Sequence, residues 1–128
     1  MISISIPGKP IAFKARHQHR ERKQYQELAQ SIYEHKAIKG ILIAEIVFVM
    51  PIPKSLEGRG KKVDHLPHTK KPDVDSLARF TIRNLEGILY RDAGQIIKTT
   101  VTKVYGHNPE TRINIRKIDI DEFNEQYN

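Results

Sequence analysis

The chain contains no cysteine among its 128 residues. Disulfides and cysteine-based zinc centres are therefore excluded. It also lacks any run approaching the ~20 consecutive apolar residues of a membrane-spanning helix, so no membrane partner is expected. The start, Met1-Ile2-Ser3-Ile4-Ser5-Ile6, alternates like a strand and does not follow the basic-then-apolar plan of a secretory leader. A cytoplasmic protein is the expectation. Aromatic residues make up only 7% of the chain and seldom interleave with the basic ones. That disfavours a stacking platform for single strands relative to a duplex or junction. There is no Walker loop, no dinucleotide-binding glycine pattern and no Gly-x-Ser-x-Gly elbow, and neither an internal repeat nor a low-complexity segment. Acid is scarce: 15 Asp and Glu face 22 Lys and Arg, for a net charge of +7. A polyanionic partner, most simply nucleic acid, follows from that balance, although a merely soluble basic protein shows it too.

The length suits one domain, residues 1–128, with a modest core. Ile2, Ile4 and Ile6 alternate with serines, which predicts a strand with one buried face. A helix is predicted from Arg20 to about His35, with Tyr25, Leu28, Ile32 and Tyr33 on one side and Gly40 as a stop. Ile41 to Met50 is β-branched and apolar apart from Glu45, the pattern of a central strand. Pro51 to Lys71 is broken by prolines and glycines and reads as a long loop. A second helix is predicted from Asp75 to Glu86, capped by Asp75 or Ser76, with an Ala78–Ile82–Leu85 stripe widened by Leu77 and Thr81. Gly87 is placed to end it. Ile88–Tyr90 reads as a short extended piece. Gln95–Tyr105 and Thr111–Ile118 alternate as strands around a Gly106–Pro109 turn and are expected to form a hairpin, with a short helix in the polar tail. The expected fold class is α/β (α+β), a mixed sheet carrying two helices.

The chemistry concentrates between Lys70 and Asp92. Asp73 and Asp75 stand two apart after Pro72, and in an extended segment their side chains would share one direction. With Asp92 they supply three hard oxygen ligands, the donor type Mg²⁺ prefers. Two such ions activate water and stabilise a leaving oxygen in phosphodiester hydrolysis. Arg79 and Arg83, one and two turns after Asp75, suit a phosphate. Lys70 and Lys71 suit the flanking backbone, while Lys14 and Arg16 belong to a basic N-terminal stretch with His17 and His19. The loop adds Lys54, Arg59, Lys61 and Lys62. The same residues admit blander readings: Asp75 as a helix cap, Asp92 as a turn residue, the loop as a solvated segment. Asp64, His65 and His68 form an incomplete zinc set.

These residues resemble a known family. His68-Thr69-Lys70-Lys71-Pro72-Asp73-Val74-Asp75-Ser76-Leu77, then Leu85-Glu86-Gly87-Ile88-Leu89-Tyr90-Arg91-Asp92 and Gln95-Ile96, are similar to the motifs of the RusA Holliday junction resolvases. Pro51-Ile52-Pro53-Lys54-Ser55 and Ile6-Pro7-Gly8-Lys9-Pro10 with Lys14 and Arg16 extend the resemblance over nearly the whole chain. It implies a homodimeric, Mg²⁺-dependent endonuclease that resolves four-way DNA junctions by paired nicks in recombination and repair, associated with the nucleoid. By the same resemblance Asp73, Asp75 and Asp92 are metal ligands and catalytic, and Arg79 occupies the position of a catalytic lysine. Lys14, Arg16, Lys54, Arg59, Lys61, Lys62, Lys70, Lys71 and Arg83 are then DNA contacts. Four positions depart from the family pattern. Ser76 stands for asparagine, Arg79 for lysine, Arg83 for a helix aspartate and Ala93 for a second acid. These departures support a second expectation, a branched-DNA-binding protein with lost or weakened nuclease activity.

Overall fold

A computed structural model describes residues 1–57 and 63–127. Arg59, Lys61 and Lys62, three of the expected DNA contacts, lie outside the described residues. The elements run β1 (Ile2–Pro7), α1 (His19–Ile32), β2 (Ile41–Pro51), α2 (Lys54–Glu57), α3 (Val74–Asn84), β3 (Ile96–Gly106), β4 (Glu110–Ile118) and α4 (Ile120–Tyr127), with a 3₁₀ turn at Ala93–Gln95. The fold is thus mixed α+β, as expected; α4 is the short helix expected in the tail, and α2, inside the long loop, is one that the sequence did not suggest. No helix among the described residues is long and apolar enough to cross a membrane.

The sheet order is β1-β4-β2-β3. β2 pairs parallel with β3 and antiparallel with β4, and β4 pairs antiparallel with β1. The expected β3–β4 hairpin therefore does not form. The apolar run of β2 explains why. Leu42, Ala44, Ile46, Phe48 and Met50 are buried on one face, and Val49 is buried on the other. A strand so apolar gains most with a neighbour on each side, and β2 takes that place between β3 and β4. A parallel β2–β3 pair needs a crossover, which α3 supplies.

Both long helices pack on the face carrying Ile46 and Ile113, which are cross-strand partners. In α1 the buried positions are Tyr25 and Ala29, continued by Tyr33 just beyond the helix. Leu28 and Ile32, expected on the same stripe, lie at its solvent edge. The stripe of α3 is also rotated from expectation. Leu77, Phe80, Thr81 and Asn84 are buried, whereas Ala78 and Ile82 are only partly so. Phe80 has no exposed surface and meets the Tyr25 ring edge-on at 5.0 Å. Beside this contact Gln26 Nε2 donates to Asn84 Oδ1 at 3.0 Å, and Asn84 Nδ2 donates to the Phe80 carbonyl at 2.8 Å. The buried amide of Asn84 is thereby satisfied at both ends. Gly87, at φ +86°, takes the left-handed conformation its place after α3 called for. Ile88–Tyr90 forms turns and bridges rather than an extended piece.

Candidate active site

The end of the long loop is laid along the free edge of β3. His65 N–H donates to the Tyr105 carbonyl, Tyr105 N–H to that of Leu66, and His68 N–H to that of Lys103. From β3 the Lys103 ammonium reaches the carbonyls of Lys70 and Pro72, each at 2.8 Å. The turn it grips contains a cis Lys71–Pro72 peptide and leads directly into α3. Lys103 sits on the helix-facing side of the sheet, in register with Phe48, and its neighbours Val101 and Tyr105 are partly or fully buried. A lysine on an apolar alternation was the signal in the sequence; its partners, some thirty residues upstream, were not legible there. Lys103→Met should lower stability by about 1.5–3 kcal/mol, the worth of hydrogen bonds to a charged group. Urea unfolding of the two chains measures it.

Asp73 is the N-cap residue of α3, at φ −70° and ψ 152°. This corrects the cap expected at Asp75 or Ser76, and with it the picture of two aspartates aligned along extended chain. Asp75 lies inside the first helical turn, where its negative charge also suits the helix dipole. The Asp73 carboxylate makes no cap bond. It accepts two hydrogen bonds from Lys71 Nζ, at 2.8 and 2.9 Å. That contact holds the Asp73 carboxyl below the usual carboxylate range and raises the Lys71 ammonium above its own. Asp75 Oδ1 accepts from Ser76 N–H at 2.9 Å.

Asp92 is fixed by a different device. It is the N-cap of the 3₁₀ turn, and its Oδ1 accepts from Gly94 N–H at 2.7 Å. Gln95 Oε1 accepts from both Arg91 and Asp92 N–H, while its Nε2 donates to the carbonyls of Ile38 and Gly40. Gln95 thus ties the acid-bearing turn to the segment before β2. Glu86 adds a bond from Ala93 N–H at 2.7 Å. The sequence marked Gln95 as a motif residue; its clamping role depends on the fold.

The basic groups divide into two sets. Arg79, Ile82 and Arg83 of α3 face Asp92, Ala93 and Gly94 across a cleft of about 460 Å³. Asp92 is therefore brought together with both arginines. Lys14, Arg16, His17, His19 and Arg22 line a smaller hollow of about 200 Å³ with Phe13 at the start of α1. Lys14 also lies 3.9 Å from Glu21. Lys54 opens α2, and Lys70 is exposed on the motif turn.

Among the described residues, no three His, Asp or Glu side chains gather as a metal-holding group. Asp73, Asp75 and Asp92 do not converge to that degree, and neither do Asp64, His65 and His68. The donor chemistry still fits Mg²⁺. All three aspartates are exposed and keep lone pairs beyond the contacts described. Mg²⁺ is usually held by one or two carboxylates, with water and substrate phosphate completing its shell.

His68 is buried against the Tyr105 ring, and its Nδ1 has no hydrogen-bond partner. Burial, then the nearby Lys103 charge, pushes its pKa below the ordinary value of 6.5. The unfolded chain then binds the extra proton more readily. This contribution to stability is complete above about pH 6.5 and is lost as pH falls from there through the folded-state value. Urea midpoints at pH 7.5 and pH 5 should differ less in His68→Phe than in the parent chain.

The chain is 29% identical over 102 residues to the uncharacterized protein YqaN of Bacillus subtilis strain 168, covering 75% of this chain and 72% of that protein. Residues 8–116, most of the chain and all of the cleft, match the family described as endodeoxyribonuclease RusA. The chain belongs to the RusA endodeoxyribonuclease family.

Proposed function

We propose that this protein is a structure-specific endonuclease that hydrolyses phosphodiesters at four-way DNA junctions with Mg²⁺, acting as a homodimer in recombination and repair. The observation that carries this reading is the cleft itself. It sets an exposed aspartate, Asp92, against two arginines of the helix that bears Asp75. Asp73, Asp75 and Asp92 would hold the metal, which supplies an activated water and neutralises charge on the phosphate. Arg79 and Arg83 draw the phosphate to the cleft by charge-assisted hydrogen bonds. Arginine stays protonated at any working pH, so Arg79 binds the phosphate and does not move a proton. Lys14, Arg16 and Lys70 contact the backbone of the junction arms; such contacts set position and affinity rather than sequence. An enzyme acting on the chromosome works in the cytoplasm, at the nucleoid.

The second reading is a junction-binding protein with little or no nuclease activity. Arg83 and Ala93 favour it, because among the described residues Asp92 is the only acid lining the cleft. One experiment separates the two. The purified protein is incubated with a labelled four-way junction and a linear duplex of the same arms, in Mg²⁺ or Mn²⁺. Cleavage of the junction alone supports the enzyme. Tight junction binding with no cleavage in either metal leaves the binding protein. Weak and equal binding of both DNAs contradicts both readings.

A further inference from the structure

Two residues of α3, Ser76 and Arg79, meet at one residue, Phe13. Ser76 Oγ donates to the Phe13 carbonyl at 3.3 Å, and Phe13 N–H donates to the Ser76 carbonyl at 3.0 Å. These bonds fasten the segment before α1 to the first turn of α3. Three residues further along that helix, the Arg79 guanidinium carbon lies 3.8 Å above the centre of the Phe13 ring. Phe13 itself is partly buried and packs against the core, so the ring is a fixed platform.

This geometry suits arginine and not lysine. A guanidinium is planar and weakly hydrated, and it stacks on an aromatic face; an ammonium is a compact, strongly hydrated point charge. Stacking occupies the flat face of the guanidinium and leaves its N–H groups directed outward in the plane, where they match phosphate oxygens two at a time. None of the ion pairs among the described residues involves Arg79. Arg79 lines the cleft shared with Asp92 and Arg83. We infer that Phe13 is a positioning residue, whose ring holds the Arg79 guanidinium as the ligand for a DNA phosphate at the cleft. The inference rests on the DNA-binding part of the reading above and does not require cleavage.

A double-mutant cycle tests it, with four-way junction binding in EDTA as the readout. Phe13→Leu should weaken binding about threefold when Arg79 is present. In the Arg79→Ala background the same change should have no further effect, because the group it acts through is gone. Phe13→Tyr keeps the ring and should bind as the parent does. A second readout needs no DNA. The Arg79 Nε–Hε resonance should show a ring-current shift in the parent and in Phe13→Tyr, and lose it in Phe13→Leu. Equal weakening by Phe13→Leu in both backgrounds, or an Arg79 resonance indifferent to Phe13→Leu, overturns the role. Binding that obeys the cycle in a protein that never cuts in Mg²⁺ removes the nuclease and leaves Phe13 in place. A parent chain that binds no DNA removes both.

Discussion

Asp75→Asn should abolish junction cleavage in Mg²⁺, by about 10³-fold or more, while junction binding persists. The substitution is nearly isosteric. Asp75 Oδ1 accepts the Ser76 N–H, and an amide oxygen accepts the same bond, so the first turn of α3 keeps its local contact. What is lost is one negative charge and a carboxylate ligand. If a metal held there supplies several kcal/mol of transition-state stabilisation, each 1.36 kcal/mol forfeited costs tenfold in rate. Binding moves the other way or not at all, since removing an anion from a surface that meets phosphates cannot weaken their attraction. Single-turnover cleavage and an equilibrium gel-shift on the same junction separate the two effects. A variant that cuts within tenfold of the parent would place the metal, or the chemistry, elsewhere.

Phe80→Ala should destabilise the fold by about 3–5 kcal/mol, the cost of emptying a filled aromatic site. Phe80 has no exposed surface, and its ring is the face against which Tyr25 packs edge-on. Its neighbour Asn84 links α3 to Gln26 of α1. Losing the ring leaves a cavity where the two helices meet and weakens the contact that holds α1 beside α3. For a chain of this size the midpoint of thermal unfolding should fall by about 10–20 °C. Phe80→Leu, which refills part of the volume, should lose less than half as much. A small loss in Phe80→Ala would mean that the helices collapse onto the space.

Much of this architecture was legible because burial imposes a period. Ile2, Ile4 and Ile6 could only be a half-buried strand, and the β-branched run of β2 could only be central. Strand pairing was harder. β3 and β4 are joined by a short turn with alternating residues on both sides, the local pattern of a hairpin. The preference for that hairpin lost to the demand of β2 for two neighbours, which no local window contains. The site followed the same division. Asp73, Asp75, Asp92 and Arg79 stood out as residue types in a motif. Gln95 stood in the motif too, but what it and Lys103 hold was not legible, because both act on chain more than thirty residues away. Phe13 gave no signal at all, since an aromatic in an apolar triplet reads as core. The helix cap was misplaced for a physical reason: a period-two argument holds in extended chain, and α3 begins between the two aspartates.

The most direct test is to map cuts on all four strands of an immobile four-way junction treated with the parent protein in Mg²⁺. A dimeric resolvase requires paired nicks on opposing strands close to the branch point, absent when Mg²⁺ is chelated. Tight binding that leaves all four strands intact in Mg²⁺ and in Mn²⁺, or scattered cuts that fall equally on linear duplex, would contradict it.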